Sequence, residues 1–234
     1  MLQNYTLLST FFFFTLFYLS LSNPTPNDTL ALIAFKASLD RSNSLASWSQ
    51  STDPCAGSWL GVTCDPKTRR VTKLVLKNLN LTGPIQPLTA LDRLSLNHNL
   101  LSSSLNFSSW PHVNHLYLSH NNFTGAIPAA ISGLRKLRRI DLSHNQLSGE
   151  IPFAKLTRLS KLLTLRLEFN SLTGFGDASS ALFTDFNVSD NDLAGKIPRF
   201  LEKFVRRRLR ETRGSAGSRC QTTALFRWPS SRRH

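Results

Sequence analysis

One pattern recurs along this chain and constrains its fold more than any other feature. Residues 134–152, LRKLRRIDLSHNQLSGEIP, give the clearest copy of the pattern LxxLxLxxNxLxGxIP. The asparagines of five copies follow one another at intervals of 22, 24, 25 and 21 residues: Asn99, Asn121, Asn145, Asn170 and Asn191. An earlier copy at residues 71–85 carries Leu79 in the same position. Because one such unit cannot bury its apolar side alone, the repeat predicts a solenoid of six stacked turns.

Each turn of the repeat needs particular residue types for physical reasons. Apolar side chains point into the coil and pack on their equivalents in the turns before and after. We expect Asn145 to lie where the chain leaves the strand, so that its amide pairs with backbone groups that would otherwise be buried without partners. Gly149 and its equivalents are expected at a bend with unusual backbone angles. In the clearest copy, the inward side chains are predicted to be Leu137, Ile140, Leu142 and Leu147.

The segments LSGEIP, FTGAIP, LAGKIP and LTGPI resemble the plant-type leucine-rich repeat of receptor-like kinases, receptor-like proteins and cell-wall inhibitor proteins. The resemblance covers residues 28 to about 202, and the last two repeats are most similar to those of receptor-like kinases with short ectodomains. It implies an α/β fold: a curved, right-handed leucine-rich repeat solenoid with an N-terminal helical, disulfide-bonded cap. It also implies an ectodomain truncated before the membrane span and kinase.

The segment DPCAGSWLGVTCD resembles the amino-terminal cap of the same plant proteins. In a secreted chain, a close pair such as Cys55 and Cys64 is expected to form a disulfide. A zinc site is the rival interpretation, but two thiols without a nearby His or further Cys leave tetrahedral coordination incomplete. Cys220 is predicted to stay free.

A short helix is predicted just before this cap motif, in the segment TLALIAFKASLD at residues 29–40. Asp28 is expected to cap its amino terminus, since a carboxylate there accepts hydrogen bonds from the first free N–H groups. The apolar face at helical spacing is expected to cover the first repeat. We predict that this face consists of Leu30, Ile33, Ala34 and Ala37.

Four segments are predicted along the chain: a signal peptide at 1–22, the cap at 23–70, six repeats at 71–202 and a basic tail at 203–234. Residues 7–21 form an uncharged apolar run that is short for a membrane span, which favours a cleaved secretory signal. The sequence has no Lys or Arg before this run, so a signal anchor is the alternative. No further apolar run and no kinase motif follow the repeats. We therefore predict that this chain is not an enzyme and has no cofactor and no membrane span after the repeats.

The net charge of +14 is concentrated in the tail. Residues 203–234 contain ten Lys or Arg and one acid, which leaves only +5 for the rest of the chain. Nucleic-acid binding by this Arg-rich tail conflicts with a secretory signal, so we predict no nucleic-acid partner.

The resembled receptor kinases continue after the last repeat with a segment of the form GNxGLCGxPL, which this tail lacks. Residues 211–217, read in a shifted frame, are compatible with Gly-Asn-Ala-Gly-Leu-Cys-Gly, so we predict that the tail is frame-shifted; the alternative is a genuine, solvated and disordered Arg-rich tail.

Three histidines, His98, His120 and His144, occupy the position just before the repeat asparagine. Because they recur with the repeat, they need not converge on a substrate. A metal site or a pH sensor is the functional alternative for this stripe. No other grouping suggests catalysis, and no metal site is predicted.

The surface that can bind a partner is the concave face of the strands, where three side chains of each xLxLx unit project outward. Successive turns place these side chains in columns, with basic residues in the early turns and acids in the later ones. Such a face suits an extended partner of matching polarity, whereas solvated strand residues are the alternative. The contact candidates are Arg93, His115, Tyr117, Arg139, Asp141, Arg166 and Glu168. Among them Tyr117, Arg139 and Arg166 rank first, since Tyr and Arg supply much of interface energy.

Five Asn-x-Ser/Thr sequons follow the signal and fit a secretory-path protein. They are Asn27, Asn80, Asn106, Asn122 and Asn187. The resemblance implies an extracellular recognition module of a receptor-like kinase at the cell surface, binding a peptide or a partner (co-receptor) ectodomain. The alternative is a secreted inhibitor of a cell-wall hydrolase, similar to polygalacturonase inhibitors.

Overall fold

The computed structural model describes residues 26–176, 183–195 and 198–201. The predicted signal peptide and the predicted frame-shifted tail lie outside these residues, as does Cys220. Within the part of the chain that is described, no helix combines the length and apolar character needed to cross a membrane.

Parallel strands, one from each turn, form the main sheet. Its order is β1-β2-β4-β6-β8-β10-β12, in which only β1 pairs antiparallel with its neighbour. Because consecutive turns contribute neighbouring parallel strands, each turn packs only on the turns beside it. The strands are β1 (Val62–Cys64), β2 (Val71–Val75), β4 (Arg93–Ser95), β6 (His115–Tyr117), β8 (Arg139–Asp141), β10 (Thr164–Arg166) and β12 (Asp185–Asn187).

A second, smaller parallel set of strands follows the repeat asparagines, in the order β11-β9-β7-β5-β3. These strands are β3 (Thr82–Gly83), β5 (Leu100–Ser103), β7 (Asn122–Gly125), β9 (Gln146–Glu150) and β11 (Ser171–Gly174). The chain then returns through short helices: α2 (Phe153–Leu156) and 3-10 turns at Phe107–Ser109, Ala129–Gly133 and Arg199–Leu201. This arrangement confirms the predicted solenoid.

The core runs between the main sheet and the return segments. Leu137, Ile140, Leu142 and Leu147 are fully buried, as predicted. Their equivalents in neighbouring turns belong to the same continuous hydrophobic cluster. The repeat glycines also have the expected left-handed backbone, with φ between 76° and 96° at Gly83, Gly125, Gly149 and Gly195.

The asparagine ladder satisfies backbone groups across neighbouring turns, as predicted. The Asn121 side chain donates to the carbonyls of Leu96 (3.0 Å) and Leu118 (3.1 Å) and accepts from the Leu101 N–H (3.1 Å). Asn145, Asn170 and Asn191 repeat this pattern. These side chains therefore tie one turn to the next instead of facing a ligand.

The cap helix α1 (Pro26–Leu39) covers the first turn, but through a different face from the predicted one. Leu30 is 58% exposed, whereas Leu32, Phe35 and Leu39 are buried. The prediction failed because apolar residues lie on two overlapping faces of this helix. The face with the bulkier side chains, which includes Phe35, packs toward the first turn, and the Phe35 ring lies beside the ring of Trp48. Of the predicted inward set, Ile33 is partly buried and packs against the core, whereas Leu30, Ala34 and Ala37 are exposed and were wrongly assigned.

Asp28 does not cap α1 as predicted, because the helix begins two residues earlier at Pro26. Its carboxylate instead accepts two hydrogen bonds from the Arg70 guanidinium (both 2.9 Å) and one from the Val71 N–H (2.9 Å). The bond to Asp28 raises the pKa of Arg70. This buried carboxylate thus fastens the cap helix to the first strand of the parallel sheet.

Cys55 and Cys64 form a disulfide, as the resemblance implied. Beside it, Trp48 and Trp59 stack with ring centroids 5.2 Å apart. The Trp48 indole donates to the Leu60 carbonyl, and that of Trp59 donates to the Thr52 hydroxyl. The cap is therefore held by a covalent bond, a stacked aromatic pair and satisfied indole N–H groups.

Candidate interaction surface

The strand registers align the outward side chains of the main sheet in columns, here called the concave face. Alternation along a strand turns the residues on either side of each buried Leu, Ile or Phe away from the core. The first column contains Lys73, Arg93, His115, Arg139, Thr164 and Asp185, and the second contains Val75, Ser95, Tyr117, Asp141, Arg166 and Asn187.

Backbone hydrogen bonds continue this register past the strand ends. The His120 N–H donates to the Ser143 carbonyl (3.0 Å), and the His144 N–H donates to the Glu168 carbonyl (2.8 Å). A third column therefore follows, made of Lys77, Asn97, Ser119, Ser143, Glu168 and Ser189. All seven contact candidates lie in the three columns, while their role as ligand contacts stays a prediction.

A cluster with unpartnered polar atoms lies where β4 meets β6. Arg93 Nε, His115 Nδ1 and Ser95 Oγ are buried in the described structure without a hydrogen-bond partner. Ser95 is only 2% exposed, although it lies on the concave face. Buried polar groups are costly without partners, and atoms as well covered as these can meet a ligand group only if the side chains over them move aside.

Burial and the charges around His115 both disfavour its protonated form. Burial lowers its pKa, and the positive charges of Arg93, Arg139 and Arg138 lower it further against the opposing effect of Asp92. The ring of Tyr117 lies 6.4 Å from that of His115, centroid to centroid. The early turns therefore present cationic side chains around two flat, half-buried rings.

The later turns carry the acids. Burial raises the pKa of Glu168, and the nearby Asp141 carboxylate acts in the same direction. Arg166 forms an ion pair with Asp185, its Nε and Nη2 lying 3.1 and 3.0 Å from one carboxylate oxygen. Both partners are nearly half exposed, so this pair contributes little stability. Arg166 still has N–H groups free of Asp185, so it can contact a partner while the ion pair is kept.

Sequence reasoning missed two features of this face. Ser95 was not a contact candidate, although its hydroxyl lies in the unpartnered cluster. Asp92 comes just before Arg93 of the first column, and its carboxylate accepts a hydrogen bond from the Asn114 side-chain amide. The residue type at either position gives no signal, because only the burial imposed by the neighbouring turns makes them distinctive.

His98, His120 and His144 lie beside the third column, with their rings stacked nearly parallel. Parallel rings direct their in-plane nitrogens side by side, not toward one ion. Across residues 26–176, 183–195 and 198–201, no group of three or more His, Cys, Asp or Glu side chains has the arrangement of a metal site.

The predicted glycosylation sites differ in their surroundings. Asn80, Asn106 and Asn122 are exposed. Asn187 is half-buried in the second column, and its amide oxygen accepts from the Ser189 N–H (3.2 Å) and hydroxyl (3.1 Å). A glycan at Asn187 would stand on the concave face beside Arg166. Glycan occupancy at these sites and at Asn27 stays a prediction.

Two family models match the chain. The leucine rich repeat N-terminal domain matches residues 25–65, and the leucine rich repeat matches residues 91–147. Among curated proteins, the chain is 39% identical over 191 residues to pollen receptor-like kinase 1 of Arabidopsis thaliana, covering 77% of this chain and 28% of that protein. The chain spans 10% to 28% of the length of the curated receptor-like kinases that it matches.

Solved structures extend the similarity to three dimensions. The crystal structure of a pollen receptor kinase 3 is 34% identical, with a TM-score of 0.65 over 74% of this chain and 87% of that one. The Arabidopsis receptor kinase HAESA, solved with the peptide hormone IDA and the co-receptor SERK1, is 27% identical, with a TM-score of 0.53 over 76% of this chain and 36% of that one.

Proposed function

Since the chain belongs to the leucine-rich repeat ectodomains of plant receptor-like kinases, we propose that it is the recognition module of such a receptor and binds a peptide or a partner ectodomain on its concave face. Binding by this module is not catalytic, and any signalling step belongs to a kinase domain. We further propose that the module acts outside the cell or at its surface, after entering the secretory pathway through the signal predicted at 1–22.

The unpartnered cluster of Arg93, Ser95 and His115 is the observation that carries this proposal. Three neighbouring buried polar atoms without partners are expensive in a folded protein that has no use for them. Acceptor groups of a bound chain would pair with Arg93 Nε and the Ser95 hydroxyl. The adjacent Tyr117 and Arg139 are residue types that contribute strongly to interfaces.

The charge distribution supports an extended partner with a charge gradient of its own. Lys73, Lys77 and Arg93 lie in the early turns, whereas Glu168 and Asp185 lie in the late turns, where Asp185 pairs with Arg166. Arg139 and Asp141 share β8 between them. Opposed charges steer association and fix the register of a bound chain. An acidic segment of the partner would therefore lie over β2–β8, and a basic segment over β8–β12.

The alternative function is inhibition of a cell-wall hydrolase, as in polygalacturonase inhibitors. The receptor proposal is favoured because the relatives found for this chain are receptor kinases, and HAESA binds both a peptide and a co-receptor. That binding is a property of HAESA and supports the present proposal only through the shared fold.

A binding screen tests the proposal. The purified full chain is immobilised and exposed to a panel of receptor-kinase ectodomains and to synthetic peptides with segregated or scrambled charges. For a partner that binds the wild type, the double substitution Arg93→Glu and Arg139→Glu should weaken affinity at least about tenfold, because charge reversal at buried or central contacts costs more than about 1.4 kcal/mol.

The matched control reverses two arginines on the return segments, Arg135→Glu and Arg158→Glu. Both residues are exposed, and the change in net charge is the same. This control should bind within about twofold of the wild type. The concave site would be refuted by a partner whose affinity is unchanged by the concave substitutions but is lost in the control variant.

A further inference from the structure

Four aromatic rings form a continuous stack along one edge of the concave face, here called the ring stack. The centroid distances are 4.1 Å from His98 to His120, 3.9 Å from His120 to His144 and 4.3 Å from His144 to Phe169. The interplanar angles lie between 12° and 16°. Successive turns of the solenoid thus contact one another through these rings as well as through the core.

The backbone beneath the ring stack is left-handed at every turn. His98, His120, His144 and Phe169 have φ between 52° and 56°, a region in which a bulky residue such as Phe is an outlier. Asn78 and Asp190 continue the column at its ends with φ of 58° and 54°, and they are the types that tolerate this conformation. His is also among the types enriched in this conformation, so Phe169 is the only outlier of the four, and it keeps an aromatic ring in the stack despite that strain.

Protonation is unfavourable inside the stack. Burial lowers the pKa of His120, and the neighbouring His144 and His98 lower it further, while the carboxylate of Asp141 acts in the opposite direction. Glu168 lies in the third column on the next turn, and burial raises its own pKa. Because the His120 ring is stacked between those of His98 and His144, a charge on either neighbour opposes protonation of His120.

We propose that the ring stack is a pH switch: its neutral imidazoles hold three turns together, and their protonation separates the rings and turns an uncharged stripe into a cationic one. The stripe borders the third column, which contains Lys77, so acidification adds positive charge to that edge of the concave face. The switch does not depend on the identity of the partner, since it is a property of the folded chain.

The sign of the effect on stability follows from the proton balance. In the unfolded chain, His120 has an ordinary histidine pKa, and in the folded chain its pKa is lower. The contribution of the stack is therefore complete above the unfolded pKa and is lost as the pH falls through the folded pKa. Between those values the unfolded state binds more protons, so acidification destabilises the fold.

Thermal unfolding of the full chain at pH 7.5 and pH 5 tests this switch, with His120→Phe as the informative variant. Phe can take a place in the stack, because Phe169 already occupies the equivalent position one turn beyond His144 with φ of 55°, and any backbone strain that it adds lowers the Tm at both pH values. Acidification should lower the Tm of the wild type more than that of His120→Phe, because only the wild type has a titratable ring at this position. The exposed His112, outside the stack, supplies the matched control: His112→Phe should behave as the wild type. Equal losses of Tm in the wild type and His120→Phe would overturn the switch.

A titration of the wild type followed by NMR needs no variant. The imidazole Cε1 proton of His120 should titrate with a midpoint below the ordinary histidine value of 6.5, and a midpoint at or above that value would overturn the switch.

Discussion

At the scale of single residues, Gly61 is the position with the least room for change. Its φ is +71°, and a Cβ built there would lie 2.1 Å from the Val75 carbonyl oxygen. That oxygen belongs to the first parallel strand, and the Gly61 carbonyl accepts a hydrogen bond from the Val75 N–H (2.9 Å). The cap thus approaches the solenoid more closely here than any side chain permits.

We predict that Gly61→Ala destabilises the fold by about 3 kcal/mol or more. A left-handed backbone costs an L-residue roughly 1 to 2 kcal/mol, and separating two backbone segments adds a packing cost of roughly 1 to 3 kcal/mol. Chemical denaturation measures the loss. Gly57→Ala is the matched control, because Gly57 has φ of +84° but nothing within 4 Å of its Cβ position. It should lose only the backbone part, and an equal loss in both variants would contradict the close approach.

Residue patterns predict some contacts and miss others for a physical reason. The repeat asparagines and inward leucines are set by local needs, pairing backbone groups and filling the coil, so the pattern identifies them. The docked face of α1 is not set locally, since Leu30 and Leu32 are equally apolar and only contact with Trp48 and the first turn selects between them. The unpartnered atoms of Arg93 and Ser95 likewise depend on neighbours from three different turns.

At the scale of elements, one turn is the unit that gains or loses stability. Leu142 is fully buried between the main sheet and the return segment, and Asn145 and Asn170 both donate to its carbonyl (3.1 and 3.0 Å). A change inside one turn therefore weakens both of its interfaces.

We predict that Leu142→Asp unfolds the chain or destabilises it by about 4 kcal/mol or more, because it places an unpaired charge inside the stack. Arg139→Ala, three residues earlier on the concave face, should change the free energy of unfolding by less than about 0.5 kcal/mol. Thermal and denaturant unfolding compare the two variants. Similar losses in both would mean that inside and outside are wrongly assigned.

The strands were more predictable than the segments that return between them. Each xLxLx unit alternates between core and surface, so its register with the next turn follows from the repeat. The return segments form α2 after Pro152 but a 3-10 turn at Ala129–Gly133. They need only cover the core with a few apolar side chains, and several backbone conformations meet that need.

At the scale of the whole molecule, the chain divides by charge into a nearly balanced solenoid and a basic tail. The predicted frame shift accounts for the change of composition after residue 204. We predict that transcript sequencing will find codons for residues 211–217 that read Gly-Asn-Ala-Gly-Leu-Cys-Gly in the alternative frame, followed by an apolar span. Codons incompatible with that reading, or an early stop without a span, would exclude the shift.

The central claim is that the concave face receives the partner, and the lysines of the chain can report this directly. Lys73 and Lys77 are exposed in the concave columns, whereas Lys136 and Lys161 are exposed on the return segments. The measurement is amine acetylation of the chain, free and bound to a partner from the binding screen, quantified by mass spectrometry. Protection of Lys73 and Lys77 with unchanged Lys136 and Lys161 is the predicted result. Protection of Lys136 and Lys161 alone would contradict the claim.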